Sequence, residues 1–296
     1  MTSDAALPAL AGFRECPHIP MRRQVLARRP LGRREDYERI PMTNFDRNGY
    51  AHGAGVAQAG AEIDQGLRSF MLGVYNHMVL GLAVTGLVAL GTHMAATDTL
   101  ANGRTVLNPL GQLLYLSPLK WVVMLAPLAF VFFFSFRIDR MTSRSAMMMF
   151  MVFAGVMGLS LSSIFVIFTG QSITQVFFIT AAAFGALSLW GYTTKRSLSA
   201  MGSFLIMGLF GLIIASVVNI FLASSALAFA VSVIGVLVFA GLTAWDTQRL
   251  KEMYLYELQG DSEAAAKGSI MGALSLYLNF INMFQLLLSL FGQRQE

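Results

Sequence analysis

The chain is poor in charge, cysteine and histidine, and each shortage removes a class of function. Only 12% of its 296 residues are charged, against about 25% in an ordinary soluble domain. With 55% hydrophobic residues and a mean hydropathy of +0.61, it lacks the polar surface a soluble globule needs. The single cysteine, Cys16, excludes an internal disulfide and any metal cluster built from cysteines. Of the four histidines, only His77 and His93 fall in apolar sequence. Sixteen residues apart on one candidate helix, they point to roughly opposite faces and do not share a metal. Neither G-x-S-x-G nor H-E-x-x-H occurs, so no Ser/His or zinc hydrolase site is expected and the chain reads as a non-enzyme. The last apolar stretch has no lysine beyond Lys267 at its mouth, which excludes a Schiff-base photoreceptor.

The charge that is present is segregated. Nine of the 21 Lys and Arg residues precede Asn48, while whole blocks further on carry none. A bilayer imposes that pattern, because Lys, Arg or Asp at mid-membrane costs about 2.5–3.5 kcal/mol on insertion scales. The net charge of +5 therefore reads as a topology signal beside apolar spans, and not as a nucleic-acid surface.

Residues 1–67 read as a disordered basic arm, with Arg22, Arg23, Arg28, Arg29, Arg33 and Arg34 set among Pro20 and Pro30. No apolar core of signal-peptide length follows the arginines, and Glu35, Asp36 and Glu38 count against a targeting peptide. A start at Met42 is the competing reading, with residues 1–41 an over-extended frame. Residues 68–292 form the membrane domain. A crossing needs about 20 apolar residues at a rise of about 1.5 Å to span roughly 30 Å of hydrocarbon. Seven candidates meet this: Phe70–Met94, Leu114–Phe136, Ala146–Phe168, Ile173–Trp190, Met201–Leu222, Leu227–Thr247 and Ser269–Phe291. The predicted fold is an all-α membrane protein of seven helices whose partner is the lipid bilayer.

Short-loop cations set the orientation. Arg137, Arg140 and Arg144, then Lys195 and Arg196, then Arg249, Lys251 and Lys267, fall on the same side as the arm. The other side has only Arg104, Lys120 and Arg294. The expected placement is a bacterial inner membrane with the N-terminus cytoplasmic and the C-terminus outside. Small residues four apart, Ala181 with Gly185 and Gly268 with Gly272, are candidate sites of close helix approach.

The informative residues are the polar ones inside apolar helices. Asp246 closes the run Val236–Trp245; if the sixth span continues toward Tyr254, this acid lies about two turns inside the helix end. It reads either as a headgroup-level acid paired with Arg249 or Lys251, or as a functional intramembrane carboxylate. Ser275, Asn279, Asn282 and Ser289 lie on one stripe of the seventh span. They read either as glue between helices or as the lining of a hydrated route. Asn219 in the fifth span reads as glue, and Arg137 ends the second span on the side from which Asp246 can be reached.

Three stretches resemble the Bax inhibitor-1 family in its bacterial branch, also called the transmembrane Bax-inhibitor-motif family. They are Asp64-Gln-Gly-Leu-Arg68 with Val74-Tyr-Asn76, Ala244-Trp-Asp-Thr-Gln-Arg249, and Ala273-Leu-Ser-Leu-Tyr-Leu-Asn-Phe-Ile-Asn282 followed by Met283 and Phe284. The resemblance covers about residues 62–292. It implies a bundle in which six helices wrap the seventh. It also implies a passive, pH-sensitive calcium leak gated by two facing aspartates and an arginine near the end of the second span. Asp246 matches the first aspartate and Arg137 the arginine, but Asn279 stands where the family usually has the second aspartate. No cofactor is expected; Ca²⁺ enters as the permeant ion, with Asp246 as its single carboxylate ligand in a weak site. Some relatives are similar to a modulator of a membrane-anchored AAA protease that acts through its N-terminal tail, so such a protease is the alternative partner.

Overall fold

The computed structural model describes residues 45–99, 105–137 and 140–295. It is almost wholly helical: α1 Phe45–Ala96, α2 Pro109–Tyr115, α3 Leu119–Arg137, α4 Ser143–Leu161, α5 Ile164–Ile167, α6 Gly170–Thr193, α7 Ser199–Leu222, α8 Ser225–Met253 and α9 Ser262–Phe291. A two-stranded antiparallel hairpin, β1 Thr97–Thr99 and β2 Thr105–Leu107, joins α1 to α2. Among the described residues six helices are long and apolar enough to cross a bilayer, and the bent pair α2–α3 makes a seventh when counted as one crossing.

That bend falls inside the predicted second span, where the axis turns by 60°. Pro118 has no backbone N–H to continue α2. Ser117 bridges the break, its Oγ donating to Leu113 O at 2.5 Å and accepting from Leu119 N at 3.1 Å. Elsewhere the turns between helices are tight. Thr169 Oγ1 caps α6 through Ser172 N, and Ser224 Oγ caps α8 through Leu227 N. Such caps matter because a bilayer offers backbone groups no water. α1 begins at Phe45, within the stretch read from sequence as the arm. The stretch from there to Leu67 contains no proline, and its five alanines offset in part the helix cost of its five glycines. Residues 1–44 of the arm, and Arg104, lie outside the described residues.

Burial ranks the helices. In α9, 56% of the most apolar window is buried, against 11% in α7, so α9 is the bundle's centre and α7 its lipid-facing rim. α9 packs on α8, α6 and α4. Its Leu276, Tyr277, Met283 and Leu288 are fully enclosed. The Tyr277 hydroxyl lies 2.7 Å from Thr85 Oγ1, which in turn donates to Ala154 O at 2.9 Å, tying α1, α4 and α9 together.

The predicted small pairs divide. Gly268 and Gly272 face the side chains of Leu258 and Leu250, but a Cβ on Gly185 would meet nothing within 4 Å. Close backbone approaches between long helices are at other glycines: a Cβ on Gly191 would lie 2.2 Å from Ala244 O, and one on Gly158 2.6 Å from Thr85 O. The α6–α8 and α4–α1 crossings require glycine at these positions.

Candidate functional site

The site is built on the last three turns of α8. This helix runs past the predicted end of the sixth span to Met253 and continues as a π-helical turn, Tyr254–Leu258. Asp246 therefore sits about two turns within it. Its neighbours Thr243, Thr247 and Gln248 are buried as well. The threonines satisfy their own hydroxyls: Thr243 Oγ1 donates to Phe239 O and Thr247 Oγ1 to Thr243 O, each at 2.8 Å. With its proton spent, Thr247 Oγ1 accepts from Ser188 Oγ at 3.0 Å, which leaves Ser188 to accept from the Tyr75 hydroxyl at 2.5 Å. One ordered chain of hydroxyls thus ties α1 and α6 to α8. Gln248 fastens the α6–α7 connection, its Nε2 donating to Arg196 O and its Oε1 accepting from Leu198 N.

Asp246 is 7% exposed. Its Oδ2 accepts two bonds from α9, from Ser275 Oγ at 2.8 Å and from Asn279 Nδ2 at 2.6 Å. Both bonds use a charged acceptor, the stronger class of hydrogen bond. Oδ1 makes no protein hydrogen bond. It is not sealed either, because His93 Nδ1 is the only fully buried side-chain N or O without a partner among the described residues. One carboxylate oxygen therefore closes α8 onto α9, and the other is reachable by a water-sized solute.

The remaining predicted residues go elsewhere. Asn282 Nδ2 donates to Leu278 O at 2.8 Å within its own helix, so it does not join Asp246. Ser289 meets Ser232 of α8 at 3.5 Å, three turns further along. The span-seven stripe is thus divided into separate contacts. Asn219 does not join helices; its Oδ1 accepts from Ser224 N in the α7–α8 turn. Arg137 is exposed at the end of α3, its guanidinium 5.9 Å from the centre of its own Phe133 ring. Arg137 makes no ion pair with Asp246. The aromatic face of Phe133 offers the guanidinium a partner within its own helix. The basic side chain closest along the chain is Arg249, which lies over Trp245 at 5.4 Å.

No group of three or more His, Cys, Asp or Glu side chains that could hold a metal exists among the described residues. Around Asp246 the hard-oxygen donors are one carboxylate, the Ser275 hydroxyl and the Asn279 amide oxygen. Calcium takes six to eight such ligands. Three donors fall well short of that number.

Two further polar contacts had no sequence signal. Glu263, in the first turn of α9, accepts from Ser143 N at 2.7 Å and from Ser143 Oγ at 2.9 Å, holding the start of α4. The partners are 120 residues apart, so neither marks the other. Tyr75 and Thr247 stand inside the quoted motifs, yet their pairing through Ser188 needs the fold.

A helical membrane bundle whose central helix is hydrogen-bonded to a buried carboxylate is the class of protein that fold and site define. The chain belongs to the Bax inhibitor-1 family: the family model described as inhibitor of apoptosis-promoting Bax1 matches residues 67–296. It is 47% identical over 257 residues to an uncharacterized protein of Caulobacter vibrioides, covering 86% of this chain and 100% of that one. It is 46% identical over 233 residues to an uncharacterized protein of Rickettsia prowazekii, covering 79% and 93%. It is also 43% identical over 232 residues to the inner membrane protein YbhL of Escherichia coli, covering 78% and 94%.

Proposed function

We propose that this protein is a passive cation leak of the Bax inhibitor-1 type, with calcium the permeant ion, seated in a bacterial inner membrane with its N-terminus cytoplasmic. The observation that supports this is the α8–α9 bridge at Asp246. A carboxylate deep in an apolar bundle attracts cations, and its half-open Oδ1 offers them a ligand. The Asn279 amide closes the path by holding the same carboxylate against the central helix. Opening the path means breaking the two bonds to Oδ2.

Asn279 changes the pH response. Two close carboxylates cannot both ionise cheaply; they share a proton and titrate as a coupled pair. An Asp–Asn pair has one titrating group, no like-charge repulsion and one less negative charge to draw Ca²⁺. The leak of the natural protein therefore depends on pH no more steeply than one proton allows. Calcium flux into dye-loaded liposomes, followed across pH for wild type and Asn279→Asp, tests this. A slope near one that sharpens in Asn279→Asp is expected. A steep two-proton dependence near neutrality in the wild type overturns the reading.

A further inference from the structure

A second feature lies on the lipid side of the bundle, between α1 and α6. There a cavity of about 1130 Å³ opens between the two helices. Its walls are apolar stripes, including Val79, Leu82 and Leu87 on α1 and Phe177, Ala181 and Phe184 on α6. Gly86 and Gly185 both line it, and a Cβ on either would meet nothing within 4 Å. The Tyr75–Ser188 hydrogen bond crosses it. An apolar cleft of this size that stays open between two helices has room for an apolar chain.

The ends of the cleft differ. With α2–α3 counted as one crossing, α1 and α6 run in opposite directions, and the Tyr75–Ser188 bond fixes their register. Arg68 and Tyr192 then share one end, Leu90 and Phe177 the other. Arg68 lines the cleft and is exposed. The Lys251 ammonium lies 5.1 Å above the Tyr192 ring and donates to Tyr192 O at 3.0 Å. No carboxylate lines the cleft, and Asp64, four residues before Arg68, is exposed outside it. From Arg68 to Leu90 the α1 wall runs about 33 Å at helical rise, against roughly 30 Å of hydrocarbon. One acyl chain reaches about half of that hydrocarbon thickness, so the apolar wall holds a whole chain running inward from the mouth, where Arg68 supplies the cation for an anionic headgroup.

We propose that the α1–α6 cleft is a binding site for an anionic phospholipid, one acyl chain lying between the helices and the phosphate at Arg68. The test is native mass spectrometry of the full-length protein from detergent micelles doped equally with phosphatidylglycerol and phosphatidylcholine of the same chains. The wild type is expected to retain one phospholipid and to favour phosphatidylglycerol at least fivefold. Gly185→Leu and Gly86→Leu, which fill the cleft from opposite walls, are expected to retain at least fivefold less lipid at unchanged helicity. Arg68→Gln is expected to keep the lipid and lose the headgroup preference. Equal retention of the two lipids by wild type overturns the proposal, and so does undiminished retention in well-folded glycine variants. A free fatty acid, or a second copy of the chain in place of lipid, also overturns it. The headgroup comparison needs no variant, so it decides the matter even where a substitution prevents folding.

Discussion

Replacing Asn279 by alanine isolates the contact that closes α8 onto α9. The variant removes a 2.6 Å bond from Nδ2 to the Asp246 carboxylate and leaves the Ser275 bond in place. Hydrogen bonds to charged groups contribute about 1.5–3 kcal/mol in water-soluble proteins, while interhelical bonds in membranes average nearer 0.6 kcal/mol and reach about 1.7. A loss of about 1.5 kcal/mol, the overlap of the two ranges, corresponds to roughly tenfold in an equilibrium constant. The Asp246 carboxyl group itself stays in place in this variant, so the ligand for the ion is kept while the closed arrangement weakens. The initial rate of calcium entry into dye-loaded vesicles should rise roughly tenfold per reconstituted protein, with helicity and elution volume unchanged. An unchanged or slower rate in a well-folded variant refutes the latch. It would mean that the Asn279 amide serves the path as a ligand, or that the path lies elsewhere.

The helix contacts make separate predictions. Gly191→Ala puts a methyl into the Ala244 carbonyl and should destabilise the bundle by about 1–3 kcal/mol in detergent unfolding. Gly185→Ala, two turns earlier on the same helix, faces open space and should be neutral or stabilising by up to about 1 kcal/mol; equal effects would contradict the packing described for α6. Glu263→Gln removes the charge that holds Ser143, so amide exchange in the first turn of α4 should quicken while the core of α9 stays protected. Exchange at Ser143–Ala146 that does not change would show that the contact is dispensable.

Much of this molecule is legible in the sequence, for reasons that also explain the misreadings. Apolar runs of crossing length locate most of the spans, and the short gaps between them at Thr169–Ser172 and Ala223–Ala226 locate the α5–α6 and α7–α8 turns. The bend at Ser117–Pro118 is invisible to that reasoning, since hydropathy averages over it and Pro127 inside α3 is tolerated. Spacing places Ser275, Asn279, Asn282 and Ser289 on one stripe. It cannot tell that Asn282 returns to its own helix while Ser275 and Asn279 reach Asp246, because that depends on the depth at which α8 crosses α9. The small-residue pattern names Ala181 and Gly185 but misses Gly191 and Gly158: a glycine shows that close approach is allowed, not that another backbone is there. Arg137 has the right place in the chain, but a residue count does not contain the direction of its side chain, which lies over Phe133 of its own helix.

The charge on Asp246 is what the whole functional account turns on, and Asp246→Asn removes it while keeping nearly the same shape. Calcium entry should be measured for this variant and wild type in the same liposomes, at equal protein density and verified fold. The account predicts that entry falls at least tenfold, to near that of protein-free vesicles. Entry at the wild-type rate would contradict it.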